Sequence, residues 1–459
     1  MINRRQFLTR LSGLPIIAAF PLPTIAAGLR RYQLTAARLE HPIGGPGKPV
    51  SPLWLYNGKS PGPKLTARKG EILEIDFQNR LEQPTTIHWH GIRNLNEMDG
   101  VPNVTQAVVE PGEQFTYSFP VRDAGTFWYH AHNRSFEQVA RGLYGPLIVT
   151  DSEPSENSRD IVLMADDWRL DADWRFDEAS LGSLHDWSHG GRLGNWLTIN
   201  GQSRPEIPIP KTGFVRLRVI NAANARVLSF QFSRKAPMQI IALDGAPCVP
   251  FDTATLRLGP AQRADIIVQA GPDLGSLYEV TGGGNFEAAR FISKPVSKSV
   301  LENISASPWY SYPDIKDAKL INVHMQGGAM GNLTSAVFEG EEMPIRKLAL
   351  EKQKFWAFNG QVGGYQHLLA DLNLGDIAIL RVFNDTRWEH TMHLHGHHFW
   401  VKSKEFGQET HEVLRDTYLM APGETADLVF IADNPGLWLF HCHALEHHAG
   451  GMGGVISIS

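Results

Sequence analysis

The chain has 459 residues, enough for roughly two to four domains with a substantial buried core. Hydrophobic residues make up 42% of it, which argues against a disordered protein. The formal net charge is -5, and such mild acidity argues against nucleic acid as the main partner, because phosphate binding needs a basic face. With 43 Gly and 29 Pro the chain turns often, which favours an all-β fold over a helical bundle.

Residues 1–27 are predicted to be an export signal rather than part of the fold. Arg4 and Arg5 open a twin-arginine pattern, an apolar stretch follows from about Leu11 to Leu22, and small residues end at Ala27. The apolar stretch is too short for a membrane span, which needs about 20 residues. We therefore expect a periplasmic mature protein without a membrane span, delivered by the twin-arginine export machinery.

Three segments share one alternating pattern and predict half-buried strands. Each begins with a glycine and alternates apolar with polar residues, and a Pro/Gly turn further along precedes another strand. The segments run from Gly70 to Asn79, from Gly213 to Asn221 and from Gly375 to Asn384, and the turns lie at 111–113, 259–261 and 422–424. This repeat predicts β-sandwich domains at about 28–153, 154–300 and 301–459, with the second linker inside 292–345.

Histidines form four His-x-His pairs, two in the first predicted domain and two in the third. Residues two apart on a strand point to the same face, so each pair can present two imidazoles to one site. The pairs are His88/His90, His130/His132, His393/His395 and His441/His443. Because the duplication places equivalent pairs in equivalent domains, eight imidazoles are expected to meet at the interface of domains one and three. The middle domain has no histidine from Gly190 to Val323 and is expected to act as a spacer without metal.

The third domain alone carries a second set of donors. Aligning the two copies leaves Cys442, His390 and His447 without counterparts in the first domain, and Met452 follows shortly after. Two His, one Cys thiolate and a weak axial Met form a blue-copper electron-transfer site. On a strand, Cys442 points away from both of its histidine neighbours. It can therefore hold one metal on one face while the neighbours hold the cluster on the other.

These motifs resemble the multicopper oxidases, and among them the three-domain laccase-like enzymes. The resemblance covers essentially the whole mature chain and implies three tandem cupredoxin-like Greek-key β-sandwiches with four copper ions. By position, it assigns His88 and His393 to the type 2 copper, and His90, His130 and His443 to one type 3 copper. The other type 3 copper takes His132, His395 and His441, and the type 1 copper takes His390, Cys442, His447 and Met452.

Proton supply is expected near Asp99, in an Asp-Gly turn where the family often has a carboxylate close to the type 2 copper. The same dipeptide is also an ordinary turn signal. Many relatives carry a second carboxylate directly after the last type 1 histidine, and here that position is His448. Protons are therefore expected to arrive mainly through Asp99, or the protonated imidazole of His448 takes the place of the second carboxylate. Glu446 is expected to support structure.

Several remaining residues are interpreted as structural. Cys248 is predicted to be a buried thiol, and with only two cysteines a disulfide framework is excluded. His397 and His398 are expected to pack or to face solvent. Ordinary surface or core histidines are expected at His41, His185, His189, His324, His367 and His411.

The resemblance implies a monomeric oxidase that couples four one-electron oxidations to the reduction of O2 to water. With only 10 Met in the chain and no methionine-rich insert, phenols and aromatic amines are the favoured reductants. Oxidation of Cu(I), Fe(II) or Mn(II) in metal homeostasis is the alternative. The complete ligand set argues against a scaffold protein that has lost its copper ligands. Copper sequestration without turnover would favour a chain richer in Met or His.

Overall fold

The computed structural model describes residues 28–151, 160–294, 307–403 and 410–459. The predicted export signal lies outside these residues, as do the expected domain boundaries at 153/154 and 300/301. The described chain is built mainly from strands, as expected of an all-β protein. No helix in these four ranges has the length and apolar character of a membrane span.

Residues 28–151 form a pair of four-stranded sheets, here called the first sandwich. The sheet orders are β2-β1-β4-β6 and β3-β8-β7-β5. The strands are β1 Leu29–Pro42, β2 Val50–Tyr56, β3 Leu65–Arg68, β4 Ile72–Arg80, β5 Ile87–His90, β6 Gln114–Pro120, β7 Gly125–Ala131 and β8 Tyr144–Thr150. A short 3-10 helix spans Asn96–Met98, and α1 spans Ser135–Gln138.

Residues 160–293 form the middle sandwich, with sheet orders β10-β9-β12-β17-β14-β15 and β11-β19-β18-β13-β16. Helix α2 spans Leu184–Ser188, and 3-10 helices lie at Glu178–Ser180 and Thr281–Gly283. The strands are β9 Asp160–Trp168, β10 Trp196–Ile199, β11 Glu206–Ile209, β12 Phe214–Asn221, β13 Leu228–Phe232, β14 Met238–Leu243, β15 Ala246–Thr253, β16 Leu256–Leu258, β17 Arg263–Gln269, β18 Ser276–Glu279 and β19 Phe286–Ser293.

Residues 319–458 form the third sandwich, with sheet orders β23-β20-β25-β30-β27-β28 and β24-β32-β31-β26-β29 and a separate β21-β22 hairpin. Helices α3 and α4 span Ile345–Lys352 and Leu445–Ala449. The strands are β20 Lys319–Gly327, β21 Ser335–Phe338, β22 Glu341–Pro344, β23 Trp356–Phe358, β24 Leu368–Leu372, β25 Ile377–Asn384, β26 His390–Leu394, β27 Phe399–Ser403, β28 Thr410–Arg415, β29 Thr417–Met420, β30 Thr425–Ile431, β31 Gly436–Cys442 and β32 Gly453–Ile458.

The three alternating segments form β4, β12 and β25, and each predicted turn leads into a further strand, β6, β17 and β30. Strand β4 buries Leu73, Ile75 and Phe77 on one face, as the pattern predicts. The prediction of a half-buried strand is wrong for β12, because Arg216 and Arg218 are buried too. Both guanidinium groups form ion pairs with Asp265, and Arg218 also donates a hydrogen bond to Thr126 of the first sandwich at 2.9 Å.

Candidate metal centre

The four His-x-His pairs lie at strand ends where the first and third sandwiches meet. In the first sandwich, the register of β5 and β7 places His88 opposite His130. In the third, β26 and β31 place His393 opposite His441 in the same way. All eight imidazoles are at most 1% exposed. The structure therefore brings all eight histidines together, and we call them the eight-histidine cluster.

Three pairs of Nε2 atoms in this cluster face each other without an intervening group. The Nε2–Nε2 distance is 3.4 Å for His88 and His393 and 3.1 Å for His395 and His441. It is 3.4 Å for His130 and His443. Two of these contacts join the first sandwich to the third, so the cluster exists only because the two sandwiches pack together.

The electrostatics of the eight-histidine cluster favour neutral imidazoles. Burial, followed by the charge of neighbouring imidazoles, lowers the pKa of His395 to about 4 and that of His443 to about 3. The same causes hold other pKa values of the cluster well below the usual histidine range, namely those of His90, His130, His132, His393 and His441. Neutral rings keep the nitrogen lone pairs that a metal needs.

Several buried nitrogens of the cluster lack a protein partner. Within the described ranges, no hydrogen bond reaches Nδ1 of His90, Nδ1 of His443 or either nitrogen of His132. Buried polar atoms in folded proteins are almost always paired, so these four call for an explanation. Each ring can give one nitrogen to a metal ion, so bound ions would supply partners for Nδ1 of His90 and for one nitrogen of His132. The cluster therefore fits the copper ions that the sequence motifs imply.

Asp99 ties two histidines of the cluster together. Its Oδ1 lies 3.2 Å from Nδ1 of His88, and its Oδ2 lies 2.8 Å from Nδ1 of His395. Burial alone would raise the pKa of Asp99, but the charges of His395 and His88 and their hydrogen bonds outweigh it and hold the pKa well below its usual value. The main-chain carbonyl of Asp99, 2.9 Å from Nδ1 of His88, and its carboxylate, at Nδ1 of His395, keep a proton on both Nδ1 atoms and turn Nε2 toward the cluster. Asp99 is thus more than a turn residue.

A second buried carboxylate, Asp416, was not anticipated from the sequence. Its Oδ1 lies 3.2 Å from Nε2 of His90, and its carbonyl oxygen lies 2.8 Å from Nδ1 of His393. Arg263 of the middle sandwich donates two hydrogen bonds to this carboxylate, at 2.7 and 2.6 Å. All three sandwiches therefore contribute to this side of the cluster. The only sequence signal is a charged pair, Arg415-Asp416, between two apolar segments.

Removing this carboxylate is expected to destabilise the protein strongly. Asp416→Ala leaves the fully buried guanidinium of Arg263 without its bidentate partner, a change that costs about 3–5 kcal/mol. Urea denaturation of the metal-free protein measures this loss. The matched control is Asp427→Ala, which breaks the exposed pair with Arg381 and should change stability little. Equal stabilities of the two variants would show that Asp416 does not hold the interface.

Cys442, His390 and His447 form a separate buried group, here called the Cys442 group. The Sγ atom of Cys442 lies 3.5 Å from Nδ1 of His390 and 3.7 Å from Nδ1 of His447. Those two Nδ1 atoms are 3.1 Å apart. Cys442 therefore belongs to a different set from its neighbours His441 and His443, as the strand geometry predicts.

The chemistry of the Cys442 group suits a soft metal ion. Burial raises the pKa of the Cys442 thiol to about 12 and lowers that of His447 to about 4. A thiolate at this position therefore requires a bound cation, and two neutral imidazoles beside a thiolate are the donors typical of blue copper. Met452 is fully buried, and its main chain is bonded to Cys442 at 3.1 Å and to His447 at 3.0 Å. These main-chain bonds place Met452 next to the Cys442 group, whose axial ligand the sequence predicts it to be.

Outer hydrogen bonds fix both imidazoles of the Cys442 group. Thr386 Oγ1 lies 2.8 Å from Nε2 of His390. The main-chain carbonyl oxygen of His189, in the middle sandwich, lies 2.6 Å from Nε2 of His447. A carbonyl can only accept, so His447 carries its proton on Nε2 and directs the Nδ1 lone pair toward Sγ. This contribution from the predicted spacer domain was not anticipated.

The residues interpreted as structural are mostly packed inside the protein. His397 and His398 are buried and lie 3.2 and 3.0 Å from the carbonyl oxygens of His395 and Gly91. Burial raises the pKa of the Cys248 thiol to about 12. Glu446 accepts a hydrogen bond from Asn224 of the middle sandwich at 2.9 Å, in keeping with a supporting role.

His448 and the isolated histidines differ in their surroundings. The His448 ring lies 4.2 Å from that of His441, and burial lowers its pKa to about 4. At neutral pH it therefore stands beside the cluster uncharged, unlike the carboxylate it replaces. His185 is exposed, whereas four others are half-buried, namely His41, His189, His324 and His367. The side chain of His411 lies outside the described residues.

Comparison with known proteins points to one family. Three regions match family models described as multicopper oxidase, at residues 42–154, 159–289 and 340–459. A solved multicopper oxidase from Pseudomonas thermotolerans is 31% identical, with a TM-score of 0.79 over 95% of this chain and 100% of that one. Laccase-1 of Botryotinia fuckeliana is 29% identical over 86% of this chain and 77% of its own length. A Campylobacter jejuni multicopper oxidase described as a metallo-oxidase is 25% identical, with a TM-score of 0.77 over 94% of this chain and 91% of that one.

Proposed function

The chain belongs to the multicopper oxidase family, and from this premise we infer that it couples one-electron oxidations of a reductant to the four-electron reduction of O2 to water. The observation that carries this inference is the pairing of two buried donor sets, the Cys442 group and the eight-histidine cluster. Four copper ions, distributed as the family resemblance assigns them, would supply the one-electron chemistry and the reduction of O2. The remaining steps belong to residues of the chain.

The main chain at Cys442 joins the two donor sets. Cys442 faces His390 and His447, while His441 and His443, one peptide bond away on either side, face the cluster. An electron that leaves the sulfur therefore has a short covalent path to either imidazole. Because β31 pairs with both β26 and β32, this path is held rigidly.

Asp99 is proposed to relay protons to reduced oxygen. Its contacts with Nδ1 of His88 and of His395 place the carboxylate beside one cluster histidine of the first sandwich and one of the third. Its carboxylate can accept a proton and pass it on, as general acid–base groups do. The neutral imidazole of His448 is the second candidate for this task.

Two reductant classes are supported by different observations. The small number of methionines favours phenols and aromatic amines, and the similarity to a laccase agrees with this class. The carbonyl oxygen of His189 covers Nε2 of the fully buried His447, so that an organic substrate does not reach this imidazole. That observation favours metal ions, as does the similarity to a metallo-oxidase. Comparing the turnover of the copper-loaded protein on a phenol and on Cu(I), at matched concentrations, tests the choice.

Export is proposed to follow the twin-arginine route, with residues 1–27 removed and a monomeric protein released in the periplasm. The support is the Arg4-Arg5 pattern and the apolar stretch behind it. N-terminal sequencing of protein from the periplasmic fraction tests this proposal. A mature chain that still begins at Met1 would contradict it.

A further inference from the structure

The hydroxyl of Thr417 lies at the centre of three polar contacts beside the eight-histidine cluster. Thr417 is the first residue of strand β29 and is fully buried. Its Oγ1 lies 2.9 Å from Nε2 of His90 and 3.2 Å from Nδ1 of His393. It donates a hydrogen bond of 2.7 Å to Oδ1 of Asp416. One hydroxyl therefore meets a cluster histidine of the first sandwich, a cluster histidine of the third, and the carboxylate that Arg263 holds.

The surrounding main chain holds this hydroxyl in place. In the pairing of β26 with β29, Thr417 lies directly opposite His393, so both side chains are on one face of the sheet. The carbonyl oxygen of Thr417 accepts a hydrogen bond from Nε2 of Gln262, in the middle sandwich, at 3.2 Å. The ring of His90 stacks on that of His393, with centroids 3.8 Å apart and planes that differ by 16°. Two stacked imidazoles from different sandwiches thus meet the same oxygen atom.

The hydrogen-bonding capacity of the Thr417 hydroxyl is completely used. A hydroxyl has one proton to donate and two lone pairs with which to accept. A carboxylate only accepts, so the proton of Thr417 is directed at Asp416. Both lone pairs are then left for the ring N–H groups of His90 and His393. An apolar side chain of the same size would remove all three interactions at once.

These contacts determine which nitrogen of each imidazole carries the proton. Nε2 of His90 lies beside Oγ1 of Thr417 and, at 3.2 Å, beside Oδ1 of Asp416, so it is protonated and Nδ1 keeps the lone pair. That Nδ1 is one of the buried nitrogens without a protein partner in the described ranges. Nδ1 of His393 is protonated because it lies 2.8 Å from the carbonyl oxygen of Asp416, and its Nε2 keeps the lone pair.

The two imidazoles depend on Thr417 to different degrees. For Nε2 of His90 the hydroxyl is the nearer partner, and only the longer contact with Asp416 remains without it. For Nδ1 of His393 the carbonyl oxygen of Asp416, at 2.8 Å, is nearer than the hydroxyl at 3.2 Å. Loss of the hydroxyl should therefore release the ring of His90 and leave His393 in its tautomer.

We propose that Thr417 is a positioning residue of the eight-histidine cluster, whose hydroxyl fixes the tautomer of His90 and holds that ring beside His393 for copper binding. This proposal rests on the oxidase function proposed above, because the family resemblance assigns these two imidazoles to different copper ions. Thr417 acts through the imidazoles, and its loss should affect the cluster without affecting the Cys442 group.

The first test compares Thr417→Val, which removes the hydroxyl at nearly constant volume, with Thr417→Ser, which keeps it. Titration of the metal-free protein with Cu(II) against a competing chelator measures copper affinity, and the blue absorption reports separately on the Cys442 group. Thr417→Val should bind copper in the eight-histidine cluster about 10–100-fold more weakly, at unchanged blue absorption. Thr417→Ser should keep the wild-type affinity. The matched control is Thr198→Val, which removes a buried hydroxyl bonded to Trp168 in the middle sandwich and should bind copper as the wild type does.

The tautomer of His90 in the metal-free protein gives a second readout. Long-range proton–nitrogen NMR of histidine-labelled protein shows which ring nitrogen is protonated, and the His90 signal is identified by its loss in His90→Gln. The wild type and Thr417→Ser should show a proton on Nε2, whereas Thr417→Val should show a mixture of both tautomers. If Thr417→Val does not fold, Thr417→Ala replaces it, because it differs from Thr417→Ser only in the hydroxyl.

Each outcome decides the proposal. Unchanged copper affinity of the cluster in Thr417→Val overturns it, and so does an equal loss in Thr417→Ser, which would assign the effect to packing. A proton on Nδ1 of His90 in the wild type also overturns it. If the wild-type cluster takes up no copper, the oxidase function fails, and the NMR measurement still decides the role of Thr417.

Discussion

Cys442→Ser will remove both the blue colour and the oxidase activity of the copper-loaded protein. In the proposed assignment the thiolate of Cys442 would be the soft donor that lets copper cycle between Cu(I) and Cu(II), and its charge transfer to copper would give the blue absorption. A serine oxygen is nearly the same size but is hard and holds its proton. We therefore expect activity to fall to background while the circular dichroism spectrum and the copper content of the eight-histidine cluster are retained.

The matched control for this variant is the other cysteine of the chain. Cys248→Ser changes a buried thiol in strand β15 of the middle sandwich, which belongs to neither donor set. Visible absorption and O2 consumption of both variants should be recorded on equal copper loading. A blue, active Cys442→Ser protein, or a colourless Cys248→Ser protein, would contradict the assignment.

Asp99→Asn will slow the reoxidation of the fully reduced protein by O2 by about 10²–10⁴-fold, the range that general acid–base catalysis contributes. An amide cannot carry an exchangeable acidic proton. It also offers only one oxygen, whereas the carboxylate of Asp99 meets Nδ1 of both His88 and His395. Stopped-flow mixing of reduced protein with O2 measures the rate. Anaerobic reduction of the blue absorption by substrate should keep its wild-type rate.

A carboxylate remote from the cluster serves as the control. Asp76→Asn alters an exposed side chain that is bonded to Thr116 in the same sandwich. This variant should reoxidise at the wild-type rate. If Asp99→Asn also does so at full copper content, Asp99 only orients the imidazoles, and His448 becomes the first candidate for proton supply.

The sequence allowed prediction of those parts of the site that have a local pattern. The alternating segments predicted β4 and β25 because alternation reports burial of one strand face. The His-x-His spacing predicted which side chains converge, because strand geometry fixes where neighbouring residues point. The family resemblance drawn from these motifs is confirmed by the three matched regions.

The groups that escaped prediction depend on contacts between distant parts of the chain. Asp416 meets His90 and Arg263 only once all three sandwiches have packed, so no spacing of residues along the chain predicts its place in the site. The burial of the Arg218 guanidinium also depends on distant residues, because it contacts Thr126 in β7 and Asp265 in β17. The group at His189 that covers His447 is a main-chain carbonyl. Every residue carries such a carbonyl, so the residue types in the sequence do not predict this contact.

The stoichiometry of O2 reduction tests the central claim most directly. Purified protein is loaded with copper, its copper content is measured, and O2 uptake and H2O2 are followed while a known amount of one-electron reductant is consumed. With copper distributed as the family resemblance implies, the two coupled donor sets predict four copper ions per chain, four equivalents of reductant for each O2, and no free H2O2. Two equivalents for each O2 with release of H2O2, or turnover with the eight-histidine cluster empty of copper, would contradict the account.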